Sequence, residues 1–301
     1  MYGGGLPAGQ ERIQRNMNAS KTAVLTDSAA DLPEEIKEKY HIFTVRMKVI
    51  YHDRMYEDGR IDPMYIYEHF REEIPKTSTP NMAEVMDVVD EIRAEGYENI
   101  IAVMISSHLS GTYGVVRSAF EEEGLKAFAM DSKNISIGSG IYAYYAAYLL
   151  EQGASFDETV AALKKKQEEG ASVLNFYMDG LDYLAKGGRI TPAVALVGKV
   201  LHLKPIIACD KEGVYYPVAK IRGQAKGVSR LVDLVLPEGL DISKYWISVM
   251  TGDGDKLADQ AIKRIYEKYP AADIIMRKQI TATMAIHTGP GLLGIDRFEY
   301  K

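Results

Sequence analysis

Residues 100–112 read Ile-Ile-Ala-Val-Met-Ile-Ser-Ser-His-Leu-Ser-Gly-Thr, and the reading of this stretch decides the fold. The apolar run Ile100 to Ile105 gives way to a hydroxyl-rich loop, and a helical pattern then continues to Glu123. An unbroken apolar run suits a strand covered on both faces, and a strand feeding a helix through a polar loop is half of a parallel α/β unit. The same grammar recurs on either side. Ala23-Val24-Leu25 stops at Thr26-Asp27-Ser28, and a helix follows through Tyr40, with Asp31 expected as its N-cap. Leu125 to Met130 is the next strand; it ends at Asp131-Ser132 and is followed by helices over 137–151 and 156–169. In between, 42–56 reads as a pair of strands, and helices are expected over 63–73 and 82–95. The alternation predicts a parallel sheet with helices on both faces.

From Ser172 the pattern changes. A strand over 173–176 precedes two helices, 181–185 and 192–200, separated by Lys186-Gly187-Gly188-Arg189. Residues 205–208 and 214–220 read as a hairpin around Asp210-Lys211-Glu212-Gly213. A helix to about Val235, a strand 245–250, a helix 256–269, a strand 273–276 and a glycine-rich tail complete the chain. The expected fold class is α/β with two domains: an N-terminal α/β/α parallel sheet over 22–153, and a C-terminal α+β domain with a mixed or antiparallel sheet over 154–301. Residues 1–20 lack the apolar core of a signal peptide and are expected to be a disordered leader or expression remnant.

Composition narrows the function classes. The chain has 301 residues, enough for two domains and a core that needs no disulfide or metal. Its 36 Lys and Arg against 42 Asp and Glu leave a charge of −6, which disfavours nucleic acid as a partner. The single cysteine, Cys209, excludes a disulfide framework and suits a reducing, cytoplasmic setting. The longest uncharged apolar run, Ile141 to Leu150, is half of what a membrane span needs.

No Gly-x-Ser-x-Gly elbow and no Gly-x-x-x-x-Gly-Lys-Ser/Thr loop is present. Gly289-Pro290-Gly291-Leu292-Leu293-Gly294 matches Gly-x-Gly-x-x-Gly, but it lies too close to the C-terminus for a dinucleotide unit, and its glycines are expected to make a tight turn. The six histidines form no His-x-x-x-His pair, and Asp253 and Asp255 have no third ligand nearby, so no metal is expected. What remains is a set of hydroxyl- and acid-rich strand ends: Thr26-Asp27-Ser28, Ser106-Ser107, Asp131-Ser132, and Thr77-Ser78-Thr79 before Pro80. Each serves as a helix cap, or all converge on one crevice beyond the carboxyl ends of the strands. Lys186-Gly187-Gly188-Arg189 is either a helix C-cap or a loop whose Arg189 fork meets a carboxylate or phosphate. Tyr142, Tyr144, Tyr145 and Tyr148 share one helix and suit core packing, a domain interface or a pocket wall.

Taken together, eight stretches in order resemble the DegV family: 26–32, 76–80, 105–112, 131–133, 181–190, 203–206, 220–223 and 287–291. The resemblance covers about residues 22–298. It implies a bacterial protein without cofactor that holds one long-chain, palmitate-like fatty acid between its two domains. Its carboxylate would meet Thr77, Ser78, Ser106 and Ser107, with His287 as a further donor. Thr79 and Asn81 stand where the family often has Gln and then Ser or Pro. Some members are similar to the fatty-acid-binding subunit of a bacterial fatty acid kinase, whose acyl phosphate product enters phospholipid synthesis, and Arg189 would lie on the surface that meets the kinase. The contrasting reading is a hydrolase or phosphotransferase using Ser107 with His287 or Asp27.

Overall fold

The structure is a computed structural model that describes residues 17–123, 126–190 and 204–301. The first sheet is parallel throughout, in the order β2-β1-β6-β7, formed by β1 (Thr22–Asp27), β2 (Ile42–Val45), β6 (Asn99–Met104) and β7 (Ala127–Asp131). Side chains alternate across a strand. In β1 and β6, Leu25, Ile100, Ala102 and Met104 face a layer made by α3 (Met82–Ala94) and α4 (Thr112–Glu123), which contributes Val85, Val89, Ile92, Val116 and Phe120. Val24, Ile101 and Val103 face the opposite way, into the larger core that holds α5 (Ile137–Glu151). The strand ends carry the next layer of order. Asp27 accepts from the Ala29 amide and caps the short 3-10 turn Ser28–Ala30, which leads into α1 (Glu34–Tyr40).

The second sheet has six strands in the order β10-β9-β8-β13-β11-β12: β8 (Ser172–Tyr177), β9 (Lys204–Cys209), β10 (Tyr215–Ile221), β11 (Tyr245–Thr251), β12 (Asp273–Gln279) and β13 (Leu293–Glu299). Its pairs are antiparallel except β11 with β12. One face is covered by α8 (Gln224–Val235) and α9 (Asp255–Lys268) through Leu231, Val232, Ala261 and Ile265. The other face joins the larger core. There α5, apolar nearly all round as a largely buried helix must be, lies between the sheets and touches β1 and β6 on one side and β8 and β13 on the other. Its tyrosines resolve into core and joint: Tyr142 and Tyr145 meet Phe298, while Tyr144 and Tyr148 meet Trp246 edge-on. Next along the chain, α6 (Phe156–Glu168) packs on α5 and β6.

Three expectations need correction. The stretch 42–56 supplies three strands: β2 joins the parallel sheet, and β3 (Lys48–Ile50) pairs with β4 (Met55–Glu57) and with β5 (Lys76–Ser78) in a separate antiparallel sheet. Asp31 is not the cap of α1. Pro33 holds that position, and Asp31 sits buried at a left-handed φ of 50°, which a short polar residue tolerates. The glycine-rich tail is structured: α10 (Ala282–Thr288) and β13 follow one another, and β13 lies in the interior of the six-stranded sheet. The turn between them has left-handed Gly289 and Gly291, at φ 74° and 75°. The helix expected over 192–200 and residues 1–16 of the expected leader lie outside the described residues.

Candidate functional site

Where β1 and β6 end, a cavity opens between the small sheet, α10 and the hairpin β9–β10. Its free space, counted out to the mouth and into the solvent beyond, is about 520 Å³. Its lining includes the apolar Ala29, Met47, Ile105, Leu109, Ile135 and Met284. It also includes the polar Thr77, Ser78, Thr79, Ser110, Thr283, His287, Arg189 and Tyr215.

The polar part of the lining is assembled from distant segments. β5 pairs with β3, Val49 opposite Thr77 and Lys48 opposite Ser78, which fixes both hydroxyl residues at the cavity rim. Thr77 Oγ1 lies 3.0 Å from His287 Nε2. His287 is buried on α10, a helix that packs on α2 (Pro63–His69) and α7 (Asp182–Lys186). Burial, with the Arg189 guanidinium adding to it, lowers its pKa to about 3, so the imidazole is neutral at physiological pH. Its Nδ1 has no hydrogen-bond partner among the described residues. Gly187 presses on that edge: a Cβ there would stand 2.1 Å from Nδ1. Arg189 donates through Nε to the Leu109 carbonyl at 3.3 Å and through Nη1 to the Gly187 carbonyl at 2.6 Å, which turns its fork along the cavity wall. Ser78 Oγ has only a long 3.4 Å contact to the Thr79 carbonyl and is open to a better partner.

Thr77, Ser78, His287 and Arg189 therefore line one cavity, whereas Ser106 and Ser107 are not among its lining residues. Ser106 is fully buried; its hydroxyl donates to the Gly213 carbonyl at 3.0 Å and accepts from the His108 amide at 3.2 Å, tying the β9–β10 hairpin to the end of β6. The Ser107 amide donates to Asp131 at 3.1 Å, and no hydrogen bond joins Ser107 to His287 or Asp27. Asp27 spends one carboxyl oxygen on the Ala29 amide and the other on the Ile105 amide, at 3.0 and 2.7 Å. Burial raises its pKa to about 7. These contacts leave the parts of a Ser107 nucleophile and base scattered.

Sequence reasoning missed Ser110, Thr283 and Tyr215 as wall residues. Ser110 carried a signal, since it closes the same hydroxyl-rich loop as Ser106. Thr283 fell in the stretch read as a tail, and Tyr215 in a strand whose inward face only the sheet order reveals. Among the described residues, no group of three or more His, Cys, Asp and Glu is placed to hold a metal ion, and no helix is long and apolar enough to cross a membrane. Chemically, hydroxyl donors, a neutral imidazole and an arginine fork in one cavity with apolar side chains suit an anionic head group carried on an apolar body.

Known proteins resemble this chain over nearly its whole length. A family model described as an uncharacterised protein, DegV family, matches residues 21–299. A DegV domain-containing protein of Clostridium perfringens is 37% identical over 280 residues, covering 92% of this chain and 98% of its own. The crystal structure of DegV, a fatty acid binding protein from Bacillus subtilis, superposes with a TM-score of 0.81 at 29% identity over 94% of this chain and 99% of its own. A fatty-acid-binding DegV family protein from Thermus thermophilus superposes with a TM-score of 0.83 at 25% identity over 92% and 99% of the two chains.

Proposed function

The chain belongs to the DegV family, and on that premise we propose that it binds a single long-chain fatty acid, with the carboxylate at Thr77, Ser78, His287 and Arg189 and the acyl chain starting along Met47, Ile105, Leu109, Ile135 and Met284. The observation that carries this reading is the mixed lining of one cavity, hydroxyl and guanidinium donors together with aliphatic side chains. Each buried methylene contributes about 0.8 kcal/mol, so some fifteen of them supply roughly 12 kcal/mol. That is enough to offset much of the cost of association, put at about 4–15 kcal/mol. The head group then needs orientation more than raw affinity, which the hydroxyls and the neutral imidazole supply, and the exposed Arg189 adds its charge without forming a buried ion pair.

In this reading the protein performs no chemistry of its own. It works in the cytoplasm and presents the carboxylate to a partner fatty acid kinase, whose acyl phosphate product is used in phospholipid synthesis. Arg189 is exposed and also lines the cavity, so it stands where a bound carboxylate and an approaching partner would both meet it.

Native mass spectrometry of the gently purified chain is expected to find one fatty acid per molecule. A chain without lipid that also takes up none on titration would overturn the reading. Ser78→Ala combined with Thr77→Ala is expected to weaken fatty acid binding about tenfold, equivalent to about 1.4 kcal/mol and typical of a lost hydrogen-bond pair. Unchanged affinity would remove both hydroxyls from the head-group site. Arg189→Glu is expected to weaken fatty acid binding and to abolish stimulation of the kinase, because its guanidinium lines the cavity as well as the surface.

A further inference from the structure

Behind the cavity floor lie three buried carboxyls that the binding site does not use: Asp27 at the end of β1, Asp31 after the 3-10 turn, and Asp58 after β4. Two of them hold the start of α10. Asp31 accepts from the Thr281 amide at 2.7 Å and from the Ser136 hydroxyl. Asp58 accepts from the Thr283 amide at 3.0 Å with the same oxygen that takes the Gly59 amide at 3.1 Å. These partners lie 250 and 225 residues away along the chain. Thr283 and Met284 line the cavity from this helix, and His287 meets Thr77 at its far end. At about 1.5 Å of rise per residue, latch and head-group site are less than 10 Å apart on one rigid turn and a half of helix.

The second oxygen of Asp58 is buried without a partner, and so are the hydroxyls of Thr281 and Thr283. A proton on that oxygen makes it a donor with hydroxyl acceptors at hand. Without the proton it is an anion in a dry site beside two more carboxyls, with the hydroxyls of Ser28, Thr281 and Thr283 near it but no ion pair among the described residues. We propose that Asp31 and Asp58 form a proton-operated latch on α10, so that the chain grips its fatty acid at mildly acidic pH and loosens it as the latch carboxyls ionise. This rests on the fatty-acid reading above.

The groups facing the latch leave it unneutralised. Arg46 gives its Nη1 to the Asp58 backbone carbonyl at 2.9 Å rather than to the carboxyl. α2 brings Tyr67, α10 itself brings the neutral His287, and β1 brings Asp27. From the other elements packed on α10, Asp182 and Lys186 of α7 and Lys76 of β5 are exposed, and Lys48 of β3 pairs with Glu84. Burial raises Asp31 to about 7 and raises Asp58, against hydrogen bonds from Ser136 and Thr281 to the first and from Thr283, Ser28 and Thr281 to the second that pull the other way. The sign follows. A folded pKa above the unfolded value contributes stability that is full below the ordinary aspartate range and is lost as pH rises through about 7.

The test is stearic acid binding by the full chain between pH 5.5 and 8.5, wild type against Asp58→Asn. The amide keeps the acceptor for Thr283 and cannot ionise. Wild-type affinity is expected to fall about tenfold from pH 6 to pH 8, one proton's worth over roughly one unit. The variant should bind within about threefold of wild type at pH 6 and lose the slope; ionisation of the fatty acid itself is common to both proteins and cancels. A flat wild-type profile, or a variant with the wild-type slope, overturns the latch. Should Asp58→Asn not fold, Asp31→Asn gives the same comparison, since asparagine tolerates the left-handed backbone there. If wild type binds no fatty acid at any pH, the functional reading fails, and hydrogen exchange at Thr281 and Thr283 judges the latch alone. Protection lost by pH 8 in wild type but kept in the variant supports it, and equal protection sinks it.

Discussion

Gly187 carries no side chain because the ring of His287 occupies the place where one would be. The backbone there has an ordinary φ, so the requirement is one of space. Gly187→Ala must push the imidazole away from Thr77 Oγ1 or lift the loop that aims Arg189. Overpacking of this kind costs about 1–3 kcal/mol, and we expect it to weaken fatty acid binding several-fold more than it lowers the melting temperature would suggest. Titration of the purified variant beside a thermal melt checks this; a variant with wild-type affinity would show that the ring's placement does not matter. The Lys186-Gly187-Gly188-Arg189 loop was conspicuous in the sequence, and its C-cap reading holds. It ends α7, with Gly187 as C-cap, and it aims Arg189 at the cavity. What no reading of the residues contained was its contact with His287, a residue one hundred positions further along.

At the scale of elements, α5 is the most constrained piece of the molecule. Gly140 lies against the Ala30 carbonyl, and an added Cβ would come within 2.4 Å of that backbone oxygen. Helix propensity alone favours Ala over Gly by about 1 kcal/mol. Here the steric cost wins, because a backbone carbonyl next to Asp31 cannot yield cheaply. Gly140→Ala is expected to destabilise the fold by about 2 kcal/mol, measurable as a lower urea midpoint, and a stabilised variant would mean that α5 can shift in its seat. The elements that were legible in the sequence are those with a strong period or an unbroken apolar run: β1, β6, α3, α5 and the β9–β10 hairpin. β13 escaped because Gly294 and Asp296 interrupt its pattern, although both are buried. Gly294 makes room for Met250, and Asp296 accepts from Ser172 at 2.8 Å. β3, β4 and β5 are three residues each, too short for a period to register. Strand ends rich in hydroxyls were visible, but whether a hydroxyl faces the cavity, as Ser78 does, or is spent on a neighbouring hairpin, as Ser106 is, depends on contacts over more than one hundred residues.

The whole molecule carries an unusual set of acids in its interior. Burial raises Asp27, Asp31 and Asp296 to about 7, and Asp58 moves the same way. By linkage their contribution to stability is complete below the unfolded aspartate pKa and falls away as pH climbs toward and through 7. His287, lowered to about 3, acts in the opposite sense: its contribution is present above the ordinary histidine value and is lost as pH falls toward 3. Because several raised acids outweigh one lowered imidazole, the fold should be more stable near pH 6.5 than at pH 8, and the loss at His287 should show only below about pH 4, where the acids' contribution is complete. Calorimetric melting temperatures across this range test it, and a midpoint that rises from pH 6.5 to pH 8 would contradict it.

The single tryptophan has an optical consequence. Trp246 is stacked on Tyr300 with ring centroids 4.3 Å apart and has Tyr144, Tyr145 and Tyr148 within 6.2 Å, at the place where α5 meets the second sheet. Light absorbed by these phenols drains into one indole, so the emission of the unlabelled chain comes largely from the joint between its two sheets. Any slackening of that joint, by ligand, proton or partner, writes itself into the colour and polarisation of a single emitter, with no dye attached.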